Sequence, residues 1–256
     1  MRILLLGHGV MGHTVEGLAD DAGHVIAGRV DREDPPLTAD TFDADVAIEF
    51  AGPDGAPSRI RQAVAAGLPV VSGSTGWDDD FDDVRRTVEE HGGALLHAPN
   101  LSIGVAVFER VVRRAAQLLD MVPDYRLELE ETHHTRKVDH PSGTARWLAD
   151  AVVQHVSRLE GWSAQLMPGR DESPVDDAGQ RDLPVRSYRE GDVPGTHVLR
   201  ASGPDDVIEL THRALNRDGF ARGAIRAAEW LPGHRGVYTL DDMLDDLLTT
   251  TPSDTP

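Results

Sequence analysis

The chain has 256 residues, of which 39% are hydrophobic, enough to build one compact body or two closely joined domains. It contains no cysteine, which excludes disulfides, thiolate chemistry and cysteine metal sites. The formal charge of −19, from 44 acidic and 25 basic residues, argues against nucleic acid or an anionic membrane as a partner. We find no signal peptide and no apolar stretch of membrane-spanning length, so we expect a soluble cytoplasmic protein.

All positive side chains except Lys137 are arginines, if histidine is taken as neutral. An acidic, lysine-poor surface is typical of adaptation to high salt, where ions screen the repulsion between like charges, so we expect a halophilic protein. Lys137 stands out against this composition, because a lysine has a tunable pKa whereas a guanidinium cannot give up its proton. The alternative is a solvated loop lysine without a role.

The first segment predicts a dinucleotide site. An apolar strand, Arg2–Leu6, runs into a G-x-G-x-x-G turn, and apolar residues at helical spacing follow. Such a turn brings backbone N–H groups and a helix N-terminus to a pyrophosphate. The predicted cofactor contacts in the turn are Gly7, His8, Gly9, Val10, Met11 and Gly12.

A second predicted strand, His24–Val30, ends in Asp31 and Arg32. An acid at this position is placed to bind ribose hydroxyls, and an adjacent arginine can contact a 2′-phosphate. We therefore expect NADH, NADPH or both as cofactor. The alternative is an ordinary turn at the end of a strand.

Three further apolar runs, Asp45–Phe50, Leu68–Ser72 and Ala94–His97, alternate with helical segments over Ser58–Ala66 and Asp79–His91. This alternation predicts a parallel, doubly wound sheet, in which ligands bind beyond the carboxyl ends of the strands. Two more loops fall at that edge, although their residues are also ordinary turn formers. The cofactor contacts predicted there are Gly73, Ser74, Thr75, Ala98, Pro99, Asn100 and Leu101.

The pattern changes in the second half of the chain. A helix over Val105–Leu119, a strand over Asp124–Glu131 and a helix from Gly143 to about Glu160 precede a polar stretch, Gly161–Gln180, which we interpret as a surface excursion. Strands then follow in succession, which indicates an α+β domain. These strands are Leu183–Tyr188, His197–Ala201 and Val207–Arg213.

We therefore predict an α/β fold, with a Rossmann-like doubly wound parallel sheet and a second α+β domain. The first domain comprises residues 1–102 plus 217–256, because the last two predicted helices, Gly219–Trp230 and Leu240–Leu248, can return to cover the first sheet. The second domain comprises residues 103–216.

The segment ETHHTRKVDHPSGT concentrates titratable residues between a strand and a helix. Strand alternation places His133 on the apolar face and His134 on the opposite face, although a hydrogen-bonded strand pair without function is the alternative. A metal site that adds Asp139 and His140 is disfavoured, since adjacent strand residues point apart and no HExxH spacing is present. We predict no metal.

The helix after this segment has a strong start signal. Pro141 disfavours helix before it, and Ser142 can cap the helix that begins at Gly143. The first backbone N–H groups, at Gly143 and Thr144, sit at the positive end of the helix dipole and can hold a carboxylate or phosphate.

One long motif is complete in this chain. The pattern E-x-H-H-x-x-K-x-D-x-P-S-G-T-A occurs as Glu131, His133, His134, Lys137, Asp139, Pro141, Ser142, Gly143, Thr144 and Ala145. With the G-[ST]-T-G loop, the segment Ala98–Gly104 and the stretch Gly191–His197, the chain resembles the 4-hydroxy-tetrahydrodipicolinate reductase (dihydrodipicolinate reductase) family over nearly its whole length. The glycine turn is one residue shorter than the family form, and the link from Asp31 to Asp45 is abbreviated.

The resemblance implies an enzyme that uses NADH and/or NADPH to reduce a cyclic imine, in lysine and diaminopimelate biosynthesis. It implies that the second domain serves substrate binding and oligomerisation, and that the protein is a homotetramer. It implies His133 as proton donor, Lys137 as the residue that stabilises developing charge, and His134, Gly143 and Thr144 as contacts of a small dicarboxylate substrate. One alternative is another NAD(P)-dependent amino-acid dehydrogenase, of the aspartate type. A second is a non-catalytic dinucleotide-sensing regulator, against which the acidic composition counts.

Overall fold

The computed structural model describes residues 1–31, 33–38, 42–169 and 181–249. The strands are β1 Arg2–Leu6, β2 Val25–Val30, β3 Val46–Glu49, β4 Val70–Ser72, β5 Ala94–His97, β6 Arg126–His133, β7 Gly161–Leu166, β8 Asp182–Arg189, β9 Thr196–Ser202, β10 Val207–Arg213 and β11 Gly236–Tyr238. The helices are α1 Val10–Asp21, α2 Ala56–Ala65, α3 Phe81–Glu90, α4 Ile103–Asp120, α5 Gly143–His155, α6 Asp218–Trp230 and α7 Leu240–Thr249. Within the described residues, no helix has both the length and the apolar character that a membrane crossing requires.

The chain divides into two compact units. The first unit consists of Met1–Ile103 and the chain from Asp218, and the second unit is Gly104–Arg217. The elements α6, β11 and α7 therefore belong with the N-terminal part of the chain. Contacts of α6 with β3 and β4, and of α7 with β11, attach these late elements to the first unit.

The first unit is built on a six-stranded sheet, sheet A, in the order β11-β5-β4-β3-β1-β2. Every adjacent pair of strands runs parallel. The chain starts inside the sheet at β1, passes to the edge at β2, and then crosses to β3 and continues in the opposite direction. This reversal defines a doubly wound sheet and places a ligand crevice at the carboxyl ends of the strands, so the predicted Rossmann-like fold is confirmed.

The second unit is built on a five-stranded mixed sheet, sheet B, in the order β10-β9-β6-β8-β7. Its central strand β6 runs antiparallel to β9 and parallel to β8. Leu127 and Leu129 of β6 point into a core shared with apolar residues of α4 and α5. Because side chains alternate along a strand, the same face of β6 continues through Glu131 to His133, beyond the apolar core.

Several predicted boundaries were wrong. The helix α5 ends at His155, where the next residue, Val156, is extended, instead of continuing to about Glu160. The predicted surface excursion begins with a strand, β7, which pairs with β8 alone and lies at the edge of sheet B. Its sequence, GWSAQL, alternates three apolar residues with small or polar ones, and Trp162 packs against the core of the second unit. Residues 170–180 of that excursion, and Arg32, lie outside the described residues.

Candidate active site

The glycine turn after β1 has the close contacts that a dinucleotide fingerprint requires. Gly7 adopts φ +91°, and a Cβ there would lie 2.5 Å from the carbonyl oxygen of Phe50. A Cβ at Gly12 would lie 2.5 Å from the carbonyl oxygen of Gly7, so α1 packs tightly on the turn. A Cβ at Gly9, the N-cap of α1, would meet nothing within 4 Å. The turn therefore leaves open space at the helix N-terminus, which fits an approaching pyrophosphate.

The turn also holds Asp31, the acid at the end of β2. The backbone N–H of His8 donates to Oδ1 of Asp31 at 2.8 Å, and Nε2 of His8 lies 2.5 Å from Glu16. Glu16 also pairs with Arg29, and the interactions with Arg29 and then His8 lower its pKa to about 2. The remaining residues of the turn, Val10 and Met11, form the first turn of α1.

The two other predicted cofactor loops follow β4 and β5, which are neighbours in sheet A. Gly73, Ser74 and Thr75 begin directly after β4, and the segment 98–101 follows β5. Ser74 is buried, and its hydroxyl donates to Glu49 at 2.7 Å, so this side chain supports the loop from inside. The sheet therefore gathers the predicted loops at one edge, as strand alternation with helices indicated.

The second unit holds the histidine segment. Glu131 is fully buried and His133 is 8% exposed. Nδ1 of His133 lies 3.2 Å from Oε2 of Glu131, at ion-pair distance but without hydrogen-bond alignment. A Cβ at Gly195 would lie 3.1 Å from Nε2 of His133, so a glycine at this position keeps space beside the second ring nitrogen. One nitrogen thus faces the carboxylate while the other faces this space.

Glu131 is held by several donors. The backbone N–H of Ser142 donates to both carboxylate oxygens at 3.1 Å, and Nη2 of Arg189 lies 3.4 Å from Oε1. Burial opposes ionisation of Glu131, but the interactions with His133 and Ser142 outweigh it and lower the pKa to about 2. The carboxylate is therefore anionic at neutral pH and anchors the end of β6.

A third histidine completes the cluster. Nε2 of His197 lies 3.9 Å from Oε2 of Glu131 and 3.3 Å from Oγ of Ser142, and its ring centroid lies 5.3 Å from that of His133. Burial, followed by the nearby His133, lowers the pKa of His197 to about 3. His197 is therefore neutral at working pH.

Lys137 lies in the loop after β6. Its Nζ donates to both oxygens of Asp139, at 2.8 and 3.0 Å, and 21% of its side chain is exposed. Arg189 donates to the backbone carbonyls of Lys137 and Asp139, at 3.1 and 2.7 Å, while also facing Glu131. The loop is thereby tied to the carboxylate that supports His133, and Lys137 is paired, unlike a fully solvated lysine.

The start of α5 matches the predicted helix cap. Oγ of Ser142 accepts from the backbone N–H of Ala145 at 3.1 Å, and the helix begins at Gly143. A Cβ at Gly143 would meet nothing within 4 Å, so the first turn, which includes Thr144, has open space beside it. His134 is partly buried and its Nε2 lies 3.3 Å from Arg217. Burial and the nearby cations Arg136 and Arg217 lower the pKa of His134.

The cluster has a spacing that a metal ion could bridge, since ligand atoms of Glu131, His133 and His197 lie within 4.8 Å of one another. A divalent ion would have to displace the N–H of Ser142 and would face the cation of Arg189. We therefore assign Glu131 as a partner of His133 and not as a metal ligand.

Both halves of the chain match known sequence profiles. Residues 1–101 match "Dihydrodipicolinate reductase, N-terminus", and residues 104–244 match "Dihydrodipicolinate reductase, C-terminus". The chain belongs to the dihydrodipicolinate reductase family. The predicted resemblance is therefore confirmed.

Curated relatives support the same family. A 4-hydroxy-tetrahydrodipicolinate reductase of Christiangramia forsetii is 38% identical, and the match covers 96% of this chain and 99% of the relative. One from Haloarcula marismortui is 40% identical over 80% of this chain and 78% of the relative. A solved structure, a dipicolinate-bound dihydrodipicolinate reductase from Paenisporosarcina sp. TG-14, is similar with a TM-score of 0.75 at 19% identity, covering 93% of this chain and 97% of that one. This last likeness shows the shared fold.

For this member of the dihydrodipicolinate reductase family, sequence reasoning gave no role to three residues of the site, the buried Glu131 and His197 and the partly buried Arg189. Glu131 opens the long motif, Arg189 lies just before the stretch Gly191–His197, and His197 ends that stretch. Their position in or next to these motifs was the sequence signal that could have identified them. Glu49 was missed as well, although an acid inside the apolar run DVAIEF needs hydrogen-bond donors if it is buried.

Proposed function

We propose that this chain reduces the cyclic imine derived from 4-hydroxy-tetrahydrodipicolinate to tetrahydrodipicolinate with NADH or NADPH, in lysine and diaminopimelate biosynthesis. The observation that carries the proposal is the complete motif arranged around Glu131, with His133 beside the carboxylate and the N-terminus of α5 bound to it through Ser142. The family and the names of the curated relatives support the same reaction.

The glycine turn, Asp31 and the loops after β4 and β5 are the residues that would hold the cofactor. The open N-terminus of α1 suits the pyrophosphate, and the carboxylate of Asp31 suits the ribose hydroxyls. When bound, a reduced nicotinamide supplies the hydride. Because Asp31 repels a 2′-phosphate that Arg32 can pair with, we propose that both cofactors are used with unequal affinity. Arg32→Ala should weaken NADPH more than NADH, and equal losses in fluorescence titrations would contradict this assignment.

The substrate is a dicarboxylate, and the second unit offers groups for it. We assign one carboxylate to the N–H groups of Gly143 and Thr144, with His134 as a further contact. His133 would protonate the neighbouring carbon as the hydride arrives, with Glu131 holding Nδ1 so that Nε2 is the donating atom. Lys137 would stabilise negative charge that develops in the transition state.

We also propose a homotetramer that assembles through sheet B. The face opposite α4 and α5 carries an ion-pair network: Arg200 contacts Glu128 at 2.7 Å and Glu130 at 2.8 Å, and Arg186 contacts Glu128 at 2.9 Å. Such a charged, ordered face suits contact with a second copy better than an unpaired charged face would. Sedimentation at molar salt tests the assembly.

The cytoplasmic location and the halophilic character stay predictions from composition.

The direct test is NADH oxidation with the cyclic imine generated in situ. We expect turnover that pyridine-2,6-dicarboxylate, a planar analogue of the substrate, inhibits competitively. The two alternatives give different results: an aspartate-type dehydrogenase would oxidise L-aspartate with NAD⁺, and a sensing regulator would bind NADH without turnover of any substrate. Either of those results, with no imine reduction, would refute the proposal.

A further inference from the structure

The last residue of β3 carries a carboxylate that the proposed reaction does not use. Glu49 is fully buried. Its oxygens accept hydrogen bonds from neutral donors, among them Oγ of Ser72 at 2.6 Å, Oγ of Ser74 at 2.7 Å and the backbone N–H of Ala51 at 2.5 Å, and the backbone N–H of Ser74 is a further donor. Burying a carboxylate is costly even when it is hydrogen-bonded, so a residue of this kind calls for a specific explanation.

The donors to Glu49 connect two loops. Ala51 lies in the loop after β3, and Ser74 lies in the loop after β4. The backbone N–H of Gly52 donates to Oγ of Ser74 at 2.9 Å, so Glu49, Ser74 and the first loop form a closed set of hydrogen bonds. On its other side, the carbonyl of Ser74 accepts from Nε1 of Trp77 at 2.9 Å. The position of each loop therefore depends on the carboxylate between them.

The same loop after β3 also touches the glycine turn. The carbonyl oxygen of Phe50 and the N–H of Ala51 lie so close to Gly7 that a Cβ there would come within 2.5 and 2.6 Å of them. A shift of Ala51 would therefore disturb the turn that we assign to the pyrophosphate. Glu49 thus fixes the relation between the glycine turn and the loop Gly73–Thr75.

We propose that Glu49 is a positioning residue for NAD(P)H, which holds these loops in their binding geometry before the cofactor arrives. The inference rests on the proposed function, because it deepens its cofactor site. The physical effect is preorganisation: loops that are already ordered lose less conformational entropy when a ligand binds. The hydrogen bonds, and not the negative charge, supply the order, so a neutral amide that keeps an acceptor oxygen should largely replace the carboxylate.

The test uses Glu49→Leu and Glu49→Gln in the full chain. Glu49→Leu leaves the N–H of Ala51 and two hydroxyls without their acceptor, and we expect the dissociation constant of NADH to rise by about tenfold or more. Glu49→Gln should restore NADH affinity to within about threefold of wild type. The affinity for pyridine-2,6-dicarboxylate, measured by calorimetry without cofactor, should not change in either variant.

Glu109→Leu is the matched control, since Glu109 is also fully buried but belongs to the second unit. It should lower the melting temperature and leave NADH affinity unchanged, which separates loss of stability from loss of positioning. If Glu49→Leu does not fold, Ser74→Ala replaces it, with a several-fold loss of NADH affinity expected.

Three results would overturn the inference: wild-type NADH affinity in Glu49→Leu, wild-type affinity in Ser74→Ala, or Glu49→Gln as weak as Glu49→Leu. Wild-type imine reduction alongside any of them leaves the proposed function standing. If the wild-type chain bound no NADH, the proposed function would fall and this inference with it.

Discussion

Replacing His197 by glutamine should make the protein less sensitive to mild acid. The pKa of His197 is lowered from 6.5 to about 3 by burial and by His133, so below pH 6.5 the unfolded chain binds a proton that the native protein refuses. Stability then falls by about 1.4 kcal/mol for each pH unit, or about 2 kcal/mol between pH 8 and pH 5. His197→Gln removes this contribution, because an amide does not titrate.

The assay is urea unfolding of wild type and variant at both pH values in the same high salt, followed by tryptophan fluorescence. Glu131 does not contribute in this window. Its pKa is lowered from 4.5 to about 2, so its contribution to stability is lost only as the pH falls below 4.5. Histidines that do not interact with His197 are unchanged in both proteins, so their effects cancel in the difference. The exposed His91, changed to glutamine, is the control and should keep the wild-type dependence. Equal acid losses in wild type and His197→Gln would refute the reasoning.

Three more predictions concern the site and the surface. Lys137→Arg should lower kcat by about 10²-fold with little change in NADPH affinity, because a bulkier, non-titrating guanidinium cannot replace the amine; wild-type turnover at saturating substrate would reduce Lys137 to an electrostatic clamp. Glu131→Gln should lower kcat by about tenfold or more while NADH affinity stays constant, since His133 loses its anionic anchor; an unchanged kcat would remove Glu131 from the mechanism. The melting temperature should rise with salt well beyond physiological concentrations, because the surface repulsion of a −19 chain is screened, and a flat curve to molar salt would contradict this.

Local pattern was enough to predict most of the first unit. Its strands are apolar runs, its turns carry glycine, and its helices have apolar residues at helical spacing, so sequence and structure agree from β1 to β5. The short strand β11 was not predicted, because its three residues are too few to show alternation. The strand β7 was missed for a different reason: its short alternation of Trp162, Ala164 and Leu166 opens a segment that is otherwise mostly polar, and pairing with β8 decides its structure.

The segment around Lys137 was predictable because its residues are consecutive, whereas their supports come from other strands. In sheet B the register pairs Glu131 with His197 and His133 with Arg189. Neither pairing can be read from the sequence, because β8 and β9 are separated from β6 by α5 and β7 and either could have been the neighbour of another strand. Once the order β9-β6-β8 is fixed, the side chains that surround His133 follow from the register, since paired residues in adjacent strands point to the same face. The missing information was therefore strand order and not residue chemistry, and the same holds for Glu49, whose partner Ser72 lies opposite it in the pairing of β3 with β4.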